Sequence, residues 1–174
     1  MTMSPGLRKL VLAAHIMVSV GWLGAVAAYL GLAVAAVATQ DAQQVRAAWI
    51  AMELTGWYVI VPLALASLLT GLVNAVGTPW GLFRHYWVLV KLLLTVFATA
   101  ILLQHMPTVS AIARVVTETE SAHLLPAGVR SDLVHAGGAL LVLLVTAILA
   151  VYKPQGLTRY GWRKQHEQRT LSQP

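Results

Sequence analysis

Four long stretches nearly empty of formal charge dominate this chain: Leu10 to Gln40, Leu54 to Phe83, Leu92 to Ala113 and Leu133 to Tyr152. Each meets the roughly 20 apolar residues that an α-helix needs to cross a bilayer core of about 30 Å. In lipid, every backbone N–H and C=O must be satisfied within the segment, so such stretches become helices. The sequence therefore predicts an all-α fold, an integral membrane four-helix bundle.

With 58% hydrophobic and 10% charged residues, 174 residues leave little beyond four helices and their connections. One transmembrane domain, 1–174, is expected, with no soluble catalytic module. The first apolar stretch is far longer than the 7–15 residues of a signal-peptide core, so it is read as a retained helix. There is no cysteine, which removes disulfides, iron–sulfur clusters, thiolate metal sites and covalent c-type haem attachment.

The net charge of +6 is arranged for topology, and no nucleic acid partner is inferred from it. With both termini inside, the inner segments carry Arg8, Lys9, Arg84, Lys153, Arg159, Arg163, Lys164 and Arg169 against Glu167 alone. The outer ones carry Arg46, Arg114 and Arg130 against Asp41, Glu53, Glu118, Glu120 and Asp132. This is the positive-inside pattern of an N-in, C-in protein. The basic tail 153–174, with Tyr160 and Trp162, is expected at the cytoplasmic headgroups.

Turn and breaker residues place the helices at about 7–39, 49–76, 85–106 and 132–152. Pro62 is expected to kink the second helix, Pro107 to halt the third, and Ser131-Asp132 to cap the fourth. Part of the outer connection, Ser110 to Ser121, has the apolar spacing of an amphipathic surface helix. The Thr78-Pro79-Trp80-Gly81 turn reads as interfacial, as does His85 beside Tyr86 and Trp87, whereas His123 and His166 read as solvated. Small residues, among them Gly21, Gly24, Gly71, Gly137 and Gly138, suit close helix approach, and a homodimer is expected.

Ionisable groups inside apolar segments are costly, so they mark candidate sites. Helical rise puts His15 about 9 Å inward from Lys9 and Lys91 about 10 Å from Arg84, a shared inner depth. His105 lies about 31 Å from Arg84 and His135 about 27 Å from Lys153, a shared outer depth that also takes in Glu53. On helix 1, His15, Trp22 and Tyr29 recur every seven residues and form one stripe beside Ser19.

Three chemistries fit these residues. Two histidines at one level can clasp haem b, giving a transmembrane electron-transfer protein with quinone or another redox protein as partner. A bare metal such as copper could use His105, His135, Glu53 and Met106 at the outer face. An accessory subunit would use none of them: His15 could bond Ser19 or a carbonyl, and Lys91 could snorkel to the headgroups.

Ala14-His15-Ile16 with Gly21-Trp22-Leu23-Gly24, and Trp87-Val88-Leu89-Val90-Lys91, resemble a group of small bacterial membrane proteins. The group includes CopD-like copper-resistance proteins and HemJ-like protoporphyrinogen oxidases. The Tyr152 to Gly156 ending looks most like an uncharacterised actinobacterial membrane family. The HemJ resemblance implies bound haem, a haem-dependent membrane oxidoreductase, and functional roles for His15 and Lys91. The chain departs from that pattern after helix 1, with Ala28-Tyr29-Leu30-Gly31 where HemJ-like proteins continue Tyr-Leu-Pro-Arg.

Overall fold

Residues 3–77, 82–118, 126–154 and 156–171 are described by a computed structural model, with the side chains of 126–129, 167–169 and 171 excepted. The Thr78 to Gly81 turn, residues 119–121 of the expected surface helix, and His123 lie outside them. The described chain is an all-α membrane bundle whose four spans are Pro5–Ala38, Ala42–Gly77, Tyr86–Glu118 and Arg130–Tyr152. Little of each apolar span is covered by protein, and Leu69, Phe97, Leu141 and Ile148 project outward. Lipid is the solvent that makes those faces inexpensive.

Helix α1, Pro5–Ala38, starts where Ser4 Oγ accepts the Leu7 N–H and Pro5 needs no donor. Helix α2, Ala42–Thr55, is capped by Asp41, whose side chain accepts the Gln43 N–H at 2.9 Å. It thus begins seven residues before the expected Trp49. A π turn, Gly56–Ile60, joins it to α3, Val61–Gly77. Here the Val61 N–H reaches back five residues to the Gly56 carbonyl, and Pro62, which has no N–H, follows at once. The break in bonding expected at Pro62 takes the form of this π turn.

Helix α4, Tyr86–Glu118, runs through Pro107, correcting the expected stop at Met106. The proline forfeits one backbone bond and carries a penalty of about 3 kcal/mol. Beyond it, Val109, Ala113 and Val116 are almost fully buried, and α4 packs on α2, where Ala48, Trp49 and Met52 are buried. Close packing of these side chains on α2, together with the bonds that follow, offsets the proline. Arg46 Nε donates to the Val116 carbonyl at 2.8 Å, and Trp57 Nε1 donates to Ser110 Oγ at 2.9 Å. The expected amphipathic segment, as far as Glu118, is therefore the end of α4.

Helix α5, Pro126–Tyr152, starts before Ser131-Asp132, so these residues are not its cap. Helix α1 packs on α2, α3 and α5, while α4 packs on α2, α3 and α5, which sets α1 and α4 across the bundle from each other. The basic tail contains helix α6, Arg159–Leu171. Its lead-in clasps the α3–α4 connection. Tyr86 N donates to the Gly156 carbonyl and Thr158 N to the Arg84 carbonyl, His85 and Leu157 form an antiparallel bridge, and Thr158 Oγ1 donates to the Phe83 carbonyl.

Gly161 sits where a Cβ would lie 2.4 Å from the Arg84 carbonyl oxygen, a backbone atom that cannot turn aside. Gly161→Ala is expected to detach α6 and speed tryptic cleavage within it several-fold in detergent-solubilised protein. Gly24→Ala, where a Cβ meets nothing within 4 Å, should leave the cleavage rate unchanged; equal rates for both variants would contradict the clasp.

Candidate functional site

The polar groups of the bundle gather at its two ends. At the end called outer from the charge pattern alone, the opposite end being called inner, α5 turns Asp132 inward, one helical turn from His135, and α4 and α1 present His105 and Tyr29 to it. Asp132 is 1% exposed. Tyr29 donates its hydroxyl to Asp132 Oδ2 at 2.8 Å, and His105 Nε2 lies 2.5 Å from Oδ1. A buried carboxylate is tolerable only when its oxygens are bonded, and here each has a donor.

His135 stacks on His105 with ring centroids 4.0 Å apart and planes 12° from parallel. Its Nδ1 is 2.7 Å from the Ser131 carbonyl, which can only accept, so Nδ1 carries the hydrogen. Nε2 of this exposed residue is then the ring's acceptor. Beneath the cluster, fully buried Met106 fills the space left by Gly56 at the start of the π turn, and the Tyr29 ring lies 4.0 Å from where a Gly56 Cβ would be.

The shared outer depth of His105 and His135 thus brings the two rings together. Their mutual geometry is not that of an axial pair. Two imidazoles holding one iron aim their nitrogens at it from opposite sides, whereas stacked rings aim theirs sideways and leave no slot for a macrocycle. Glu53, half-buried on α2, is not drawn into a ligand set with them. Among the described residues no three His, Cys, Asp or Glu side chains converge as a metal site requires.

At the inner end the stripe on α1 meets α3. His15 Nδ1 is 3.0 Å from Thr70 Oγ1, whose hydroxyl is already donated to the Ala66 carbonyl at 2.7 Å. His15 Nδ1 must therefore be the donor, leaving a lone pair on Nε2. Gly71 makes the room: a Cβ there would come within 3.0 Å of His15 Cε1. Ser19 bonds Ser67 at 2.8 Å, and Asn74 donates to the Val11 carbonyl. Half-buried Lys91 lies within electrostatic range of both His15 and Lys153. Between the two ends, roughly 15 Å of α1 separates Ser19 from Tyr29. Trp22 lies there with its indole N–H buried and unpartnered among the described residues.

Asp132 escapes the sequence reading because Ser131-Asp132 also has the chemistry of a helix cap. The signal that finds it is spacing: an acid three residues before an intramembrane histidine shares its helical face. Tyr29 is visible on the α1 stripe but, without a located acid, has no partner there. Removing the hydroxyl in Tyr29→Phe leaves Asp132 Oδ2 without this donor. A loss of about 1.5–3 kcal/mol, the usual worth of a hydrogen bond to a charged group, is expected in reversible unfolding in detergent. Tyr58→Phe, at an exposed ring, should change stability by less than about 0.5 kcal/mol.

No family model, curated protein or solved structure matches this chain.

Proposed function

We propose that this is a multi-pass protein of the bacterial cytoplasmic membrane, with both termini inside, that binds and releases protons at its outer face through Asp132. The orientation rests on the charge asymmetry, with eight cations against Glu167 on one side of the spans. The observation that carries the function is a fully buried carboxylate bonded to Tyr29 and to a histidine that stacks on an exposed second histidine.

An Asp–His pair can hold one proton in either of two forms, carboxylate with imidazolium or acid with imidazole, and exchange between them needs only motion along the existing bond. The stacked His135 completes the device. Stacked face to face, the two rings exchange a proton only through a bridging water or a ligand in the headgroup layer, which His135, exposed and with Nε2 as acceptor, can bind. Chains of Asp and His within spans serve this purpose in pumps and transporters.

Infrared difference spectra across a pH titration of the protein in lipid should show a carboxyl C=O band. It should vanish in Asp132→Asn and persist in Glu53→Gln. His135→Ala should keep the band and slow its appearance after a pH jump. A titration without such a band, or one retained in Asp132→Asn, overturns the proposal.

A second reading is haem b at the inner end, with quinone or another redox protein as partner. It is favoured by the Nδ1–H bond from His15 to Thr70, the kind of bond that orients a histidine ligand and bares Nε2. Lys91 would supply a cation for a propionate. A Soret band in protein from haem-replete cells, lost in His15→Ala, supports it, and colourless protein that takes up no haemin excludes it. Copper handling at the outer face has no comparable observation behind it.

A further inference from the structure

Independently of the Asp132 site, we propose that α6 is a recognition surface for anionic phospholipid in the leaflet next to it. The clasp fixes its depth. Backbone bonds from Tyr86 to Gly156 and from Thr158 to Arg84 tie the short segment between α5, which ends at Tyr152, and α6 to the start of α4. Both spans end at this level, so α6 begins where the hydrocarbon gives way to headgroups. Phe83, Tyr86 and Tyr152 are exposed there, as interfacial aromatic side chains are.

The faces of α6 then follow from its period. Gly161 is buried against Arg84 of the α3–α4 connection, and half-buried Gln165 lies on the same side of the helix one turn later. Arg159 and Arg163 project from the opposite side. Trp162 stacks with His166 on one flank, ring centroids 6.0 Å apart, and Tyr160 and Lys164 occupy the other. All six of these side chains are exposed. Aromatic rings on both flanks with cations beyond them match a negatively charged headgroup layer in polarity and charge. Because the clasp holds the helix at that depth, the cations meet the headgroups without a separate insertion step.

The chain has no cysteine, so a fluorophore on Thr170→Cys reports on this surface alone in the full-length protein. In phosphatidylcholine nanodiscs containing a minor share of brominated phosphatidylglycerol, quenching should show the anionic lipid enriched several-fold over its bulk fraction. Each cation contributes roughly five-fold in relative affinity, so Arg159→Gln, Arg163→Gln and Lys164→Gln together should return quenching to the bulk value. Raised salt should do the same in the otherwise unaltered labelled protein, because exposed charges are screened; this arm also serves if the triple variant does not insert. Bulk-level quenching in the labelled protein, enrichment unchanged in the triple variant, or salt-insensitive enrichment would each overturn the proposal.

Discussion

The carboxylate of Asp132 is the joint on which the outer half of the bundle depends. It belongs to α5, yet its two oxygens are bonded to α1 through Tyr29 and to α4 through His105, two helices set across the bundle from each other. A buried carboxylate with an empty lone pair costs more than the bonds contribute when made, so the three helices are held to one relative rotation. That rotation puts His135 on His105, and Met106, the residue after His105, against Gly56. The π turn therefore lies directly beside the polar cluster, a placement such turns often share with functional sites.

Lipid as solvent explains why polar joints recur where a soluble bundle would rely on apolar burial. Helix association in a membrane draws little from the hydrophobic effect and depends on close backbones and hydrogen bonds. The α1–α3 seam shows both: Gly71 admits the His15 ring, and His15–Thr70, Ser19–Ser67 and Asn74–Val11 follow one another along it. Between α2 and the end of α4 the contact is mainly apolar, around Trp49 and Val109.

The spans were legible because charge is excluded from them, a signal integrated over 20 residues or more. The depth of His105 and His135 was legible because helical rise is constant. Single-residue signals fared worse where one residue type serves two physical ends. Pro107 reads as a terminator, and only the burial of Val109, Ala113 and Val116 against α2, a tertiary fact, decides that the helix continues. Asp132 after Ser131 reads as a cap, and only the start of α5 at Pro126 moves it into the helix. The clasp of α6 was out of reach altogether, since it rests on backbone bonds between residues some 70 positions apart and leaves no periodic trace.

The nitrogen each histidine uses sharpens the contrast between the ends. His15 and His135 both donate Nδ1–H to a fixed acceptor, Thr70 Oγ1 and the Ser131 carbonyl, which orients the ring and leaves Nε2 as acceptor. That is how a protein presents an imidazole to something outside it, whether a proton, a metal or a ligand. His105 does the reverse, turning Nε2 onto a carboxylate that is itself buried. It is thus the internal member of the outer pair and His135 the external one. Stacking holds the two rings in register while denying them a common ligand between their faces, so one ring is committed to the buried carboxylate and the other to whatever reaches it from outside.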